Sequence, residues 1–240
     1  MRFSKLTSRA SDSGYLSRGA PNQRQAQDRV IGLLALPEVF GNAACDRFTP
    51  KQLPIYATPD STAMVGVIRV DEYWTFYNNG GCGGLTVNVH PAGVNAAHLL
   101  PAEEYDYEAP GAVVVAQQRP WFKVRLADGA AWVRASAQAE FYPLERLYEE
   151  RLTYLTTAWD GRLAKSAGGV TQATRTPVTP APSVRVISAQ RESDQLWFYV
   201  EVLSYSGCEP GEEPKVTERG WVPAYSPSGE RSIWFHSRGC

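Results

Sequence analysis

PWFKVRLADGAAWV, residues 120–133, encodes a strand, a turn and the start of a second strand. Period-two alternation puts Phe122, Val124 and Leu126 on one face and Trp121, Lys123 and Arg125 on the other. Asp128-Gly129 is a hairpin signal, and Trp132-Val133 opens the returning strand. The phrase recurs. LWFYVEVL, 196–203, repeats the alternation: Phe198, Val200 and Val202 are expected to point inward, and Trp197, Tyr199 and Glu201 outward. RGWVPAY, 219–225, repeats the Trp-Val strand. Upstream, VVVAQQRPW (113–121) matches VRVISAQRESDQLW (184–197): a β-branched strand, a polar turn, then the Trp strand. Two copies of one small β-unit are predicted.

Each copy has an opening piece. LPIYATPDSTAMVGVIRV (53–70) reads as strand, Pro-Asp turn, strand, and GRLAKSAGG (161–169) is its weaker counterpart. Residues 71–106 are an insertion in the first copy, with strand-like runs YWTFY and GLTVNVH around a Gly-rich turn holding Cys82. PLERLYEERL (143–152) reads as a short helix between the copies, and TRTPVTPAPS (174–183) as an extended Pro-rich loop.

LPIYATPD, RPWFKVRLADGAAWV and LWFYVEV…RGWVPAY together resemble bacterial SH3-like (SH3b) domains, in which a Leu-x-Tyr-x-x-Pro opening, a Trp-x-x-Val strand and a closing Gly-x-Trp-Val recur. The resemblance covers residues 48–143 and 158–240. It implies an all-β protein of two tandem SH3-like barrels, the first enlarged by the insertion, joined by a short helix. The expected organisation is a disordered polar tail over 1–29, a first domain over 30–157 including the trailing helix, and a second over 158–240. It also implies a bacterial cell-envelope protein, with cell-wall peptide or glycan as a candidate ligand. A protein–protein adaptor and a cysteine-dependent wall hydrolase are the competing readings.

Composition narrows the class. The chain has 240 residues, 43% apolar and 20% charged, enough to bury a core. Its net charge of -1 and pI near 6.3 argue against a nucleic-acid partner. No apolar run approaches the ~18 residues of a membrane span. The first 29 residues carry six basic side chains and no apolar core of the kind a secretory signal needs. VIGLLAL (30–36) is the only candidate, and it stops at Pro37-Glu38. An export route is therefore not visible, although the cysteines suggest a periplasmic or secreted protein.

Cys45, Cys82, Cys208 and Cys240 are dispersed, and none forms a C-x-x-C pair. Two disulfides are expected, Cys45–Cys82 and Cys208–Cys240, against the alternative of four buried thiols. The second would close a ~30-residue loop, a constraint of ~3–4 kcal/mol.

Catalytic patterns are weak. Cys82 has His90 and His98 downstream but no following helix to lower its thiol pKa. His236, Cys240 and Cys208 lack a fourth ligand for structural zinc. Glu103, Glu104, Asp106 and Glu108 form a sequential acidic run, expected to be a solvated loop. No phosphate loop or serine elbow is present. The expectation is a non-enzyme without metal or cofactor. What remains is aromatic: Trp74, Tyr77, Trp121, Trp197, Tyr199 and Tyr225 are the candidate ligand-binding residues. Trp121 and Trp197 either line a groove or pack the barrels together, and Trp132 and Trp221 are expected in the cores.

Overall fold

A computed structural model describes residues 29–40, 51–59, 62–75, 82–173, 181–205 and 213–238, with the backbone alone at 73–75, 82–85 and 173. Within these residues the chain is all-β apart from two single helical turns, α1 (Pro37–Phe40) and α2 (Leu144–Leu147). The first antiparallel sheet contains β1 (Gly32–Ala35), β2 (Leu53–Tyr56), β3 (Met64–Thr75), β4 (Cys82–Pro91), β5 (His98–Leu99), β6 (Ala102–Asp106), β7 (Ala109–Gln118), β8 (Trp121–Leu126), β9 (Gly129–Arg134) and β10 (Glu140–Pro143). Its order is β10-β1-β7-β8-β9-β2-β3-β4-β5, and β6 also pairs with β7. The second sheet contains β11 (Thr153–Leu155), β12 (Arg162–Ala164), β13 (Thr171–Ala173), β14 (Ser183–Glu192), β15 (Gln195–Leu203), β16 (Val216–Pro223) and β17 (Ile233–Phe235), in the order β13-β12-β16-β15-β14-β11-β17.

Read from the opposite end, the second order is the first with β4, β5 and β6 removed. Strands β1, β2, β3, β7, β8, β9 and β10 correspond in turn to β11 through β17. The registers agree as well. Phe122 faces Val133 and Phe198 faces Val222. Trp132 faces Tyr56 and Trp221 faces Ala164. Both β7–β8 and β14–β15 slip by one residue at the same place, between Val114 and Ala116 and between Val186 and Ser188. A bulge leaves one residue unpaired, so Val115 and Ile187 are equivalent. The second hairpin runs two pairs longer and turns at Ser193 (φ 49°) and Asp194 (φ 62°), the two positive angles of a type I′ turn. In β8–β9 the turn closes on Gly129 (φ 103°), as Asp128-Gly129 predicts.

Alternation builds the interiors. Leu34, Val114, Phe122, Val124 and Val133 form the first core, closed over by Val87 and Val89 of β4 and by Val39 and Phe40 of α1. The second core holds Phe198, Val200, Val202 and Val222. The second unit has no counterpart of β4, and the first unit covers this core instead. Val30, Leu33 and Val113 enter it from the far face of β1 and β7, together with Leu144, Leu147 and Tyr148. The insertion thus does for the first interior what the first sheet does for the second. This explains why GLLA (32–35) and AVVV (112–115) are apolar without alternation: both are buried on both faces. VIGLLAL is the source of β1, whose neighbours are β7 and β10.

Several expectations change. The boundary at 157/158 cuts into the second unit, because β11 pairs with β14 and β17. A three-residue strand carries too little pattern to be seen in sequence. PLERLYEERL is helical for a single turn, and Tyr148 then turns inward, donating its hydroxyl to the Ile233 carbonyl at 3.0 Å. Arg29, placed in the tail, lies with its guanidinium 5.2 Å from the Tyr225 ring. Cys45, Cys208 and Cys240 lie outside the described residues, as does the Cys82 side chain, so both expected disulfides fall there too.

Candidate functional site

The outward faces of the two Trp strands carry the candidate aromatics. In the first unit, Lys123, Trp132 and Tyr56 form one cross-strand row on β8, β9 and β2. Trp121 stands beside it, its ring meeting Tyr56 edge-on at 5.1 Å. All four side chains are half-buried. In the second unit the equivalent row is Tyr199, Trp221 and Ala164, with Tyr199 and Trp221 rings 5.4 Å apart. Trp132 and Trp221 are therefore not core residues. Val133 and Val222 occupy the cores, and the tryptophans, one position earlier in strands of period two, face the other way. Their role in the patch was missed because a Trp next to a Val in a short apolar run suits either face.

The other candidates separate. Trp197 lies opposite Phe198 as expected, yet it is only 7% exposed, and its indole Nε1 is buried with no hydrogen-bond partner among the described residues. A side chain so enclosed offers no ring face to a ligand. Tyr225 is also buried: its hydroxyl donates to the Val30 carbonyl across the seam between the sheets. Burial pushes its phenol up to about 12. Tyr225 holds the two units together and presents nothing outward. Tyr77 and the Trp74 side chain lie outside the described residues.

The acidic run is a solvated turn only in part: Asp106 and Glu108 are exposed, but Glu103 and Glu104 are half-buried. β6 delivers Glu103 and Glu104 to the seam. Glu103 accepts two hydrogen bonds from Arg231, at 2.7 and 3.0 Å. Glu104 accepts from Arg238 (2.5 Å) and from Ser237 (2.8 Å), and the Arg238 hydrogen bond holds its carboxyl below the usual range. The Arg231 guanidinium also lies over the Trp234 ring, its carbon 3.7 Å from the centroid. The Arg151 guanidinium donates to the Tyr105 carbonyl at 2.6 Å, and Tyr105 stacks on Tyr142 at 4.5 Å.

Beside this seam is a cleft of about 450 Å³. Val30 and Arg125 come from the first unit; Tyr154, Thr157, Glu230 and Trp234 come from the second. Sequence inspection missed it because its walls come from four separate stretches of chain, around Val30, Arg125, Tyr154 and Glu230, that only the docked sheets bring together.

On the β3–β4 hairpin, Asp71 accepts from Asn88 (2.7 Å), His90 (2.8 Å) and Arg69 (2.8 Å), which lowers its carboxyl pKa, with the Asn88 hydrogen bond as the main cause. His90 lies eight residues from Cys82 along one extended strand, roughly 26 Å at ~3.3 Å per residue. That separation denies Cys82 a base at His90. The His236 ring lies tilted against Tyr154, with centroids 4.7 Å apart. Among the described residues, no group of three or more His, Cys, Asp and Glu side chains could hold a metal ion, and no helix is long and apolar enough to cross a membrane. No family model, curated protein or solved structure matches this chain.

Proposed function

We propose that this chain is a non-enzymatic binding module of the bacterial cell envelope, built from two SH3-like barrels and directed at cell-wall peptide or glycan. The observation that carries this reading is the duplicated outward patch: Tyr56, Trp121 and Trp132 in one unit, Tyr199 and Trp221 in the other, set by the same strand register. Half-buried aromatic rings give large contact area at small entropic cost, and they suit sugar faces and peptide segments alike. Lys123 and Arg134 beside the first patch, and Glu201 and Arg219 beside the second, supply polar groups for orientation. The four cysteines favour a periplasmic or secreted setting.

The test is co-sedimentation with purified wall sacculi. Wild-type protein is expected to pellet, and a Trp121→Ala, Trp221→Ala variant to bind about tenfold more weakly or worse. Absence of wild-type pelleting would sink the wall ligand and favour the adaptor reading.

A further inference from the structure

We infer that the two outward patches are not equivalent: Lys123 and Arg134 make the first a site for an extended peptide carrying free carboxylates, a role the second does not share. The inference rests on the reading of these patches as wall-binding surfaces, and it chooses between the wall's peptide and its glycan.

By register, Lys123, Trp132, Tyr56 and Met64 form one row across β8, β9, β2 and β3. At ~4.8 Å between strands the row is ~14 Å long, the reach of about four extended residues. Met64 ends it 56% exposed, a flexible apolar side chain left in water. Trp121 and Arg134 are paired in the row beside it. Neither row carries an Asp or Glu. Lys123 is half-buried and Arg134 exposed, and among the described residues neither makes a hydrogen bond or ion pair. Arg125, two residues further along β8, has an interaction of its own and lines the cleft, so the patch runs on towards the seam.

The second unit lacks both cations. Tyr199 stands opposite Trp221 as Lys123 stands opposite Trp132, and Pro223 stands opposite Trp197 as Arg134 stands opposite Trp121. The arginines beside its rings, Arg185 and Arg219, both donate to Glu201.

This difference selects the ligand. Hydrogen bonds from a cation to a carboxylate are about twice as strong as neutral ones, and an N-acetylated glycan strand offers only hydroxyls and amides. The Tyr56 and Trp121 rings meet at 87°, so the edge of one closes a face of the other to a stacking sugar or base. An extended peptide meets both demands. Its apolar groups can lie on Trp132, Tyr56 and Met64 while its carboxylates reach Lys123 and Arg134.

Amidase digestion of purified sacculi yields free stem peptides and peptide-free glycan strands, and calorimetric titration of the whole protein with each fraction tests the assignment. The peptides are expected to bind at a single site per chain, more weakly at raised salt, and ~10-fold more weakly once their carboxylates are amidated. Lys123→Gln and Arg134→Gln should each weaken binding ~3–10-fold, and Lys123→Arg should keep most of it. Arg185→Gln removes an exposed cation from the second unit and should leave it unchanged. Amidated peptides that bind as well, or Lys123 and Arg134 substitutions without effect, would overturn the inference and leave wall binding standing. So would two equivalent sites per chain, a preference for glycan strands, or tighter binding of a single-stranded oligonucleotide. If neither fraction binds and the protein does not pellet with sacculi, the wall reading fails and the inference falls with it.

Discussion

Glu103 and Arg231 meet across the seam between the sheets in a bidentate pair, with N–O distances of 2.7 and 3.0 Å. About a quarter of each side chain is exposed, so solvent screens the pair only in part. A double-mutant cycle with Glu103→Gln and Arg231→Met is expected to give a coupling of ~1 kcal/mol in urea unfolding. Arg231→Met should cost more than Glu103→Gln, because it also removes the guanidinium from Trp234. A coupling near zero would show that the pair is screened as if it were on an open surface.

Val113 and Arg185 hold equivalent positions by register, one residue before the paired Val114 and Val186. Val113 is buried in the second unit's core, whereas Arg185 is exposed and pairs with Glu201 at 3.3 Å. Leu33→Ala, beside Val113, is therefore expected to cost ~2–5 kcal/mol, and Arg185→Ala under ~0.5 kcal/mol. Because Leu33 closes the second interior, residues 144–240 alone should lack a cooperative thermal transition. Cooperative unfolding of that fragment would refute the shared core.

Tyr225 should make the seam sensitive to alkali. Its folded-state pKa is raised by burial to about 12, above the ordinary value of 10. Its stabilising effect is therefore complete below pH 10 and is lost as pH rises towards 12. Tyr225→Phe should flatten that loss. At neutral pH it should cost ~1–3 kcal/mol, because the buried Val30 carbonyl loses its donor. Tyr142 is also raised to about 12, so the comparison with Tyr225→Phe is what assigns the effect in an absorbance titration.

Glu104 should act at the acid end. Arg238 holds its carboxyl below the ordinary 4.5. The contact's contribution is present above that value and fades as pH falls through the lower, folded-state pKa. A carbon-detected NMR titration should show the Glu104 carboxyl returning towards 4.5 in Arg238→Ala. An unchanged midpoint would mean that Arg238 does not reach it in solution.

Much of the fold was legible in the chain itself. Alternation in WFKVRL and LWFYVEV, the Asp128-Gly129 turn and the paired Trp-Val strands act within a few residues, so sequence alone determined two all-β copies and the inward positions of Phe122 and Phe198. GRLAKSAGG reads as the second opening strand, and β12 within it pairs as β2 does. Tertiary structure decided the rest. Period two assigns a side chain to a face but does not say what lies against that face. Trp197 and Trp121 share a position in the repeat, and one is enclosed while the other is half-open. Glu103 and Arg231 are 128 residues apart and Glu104 and Arg238 are 134 apart. Residues so distant pair only once two sheets have docked, and that docking turned Glu103 and Glu104 into a seam and Tyr225 into a fastening.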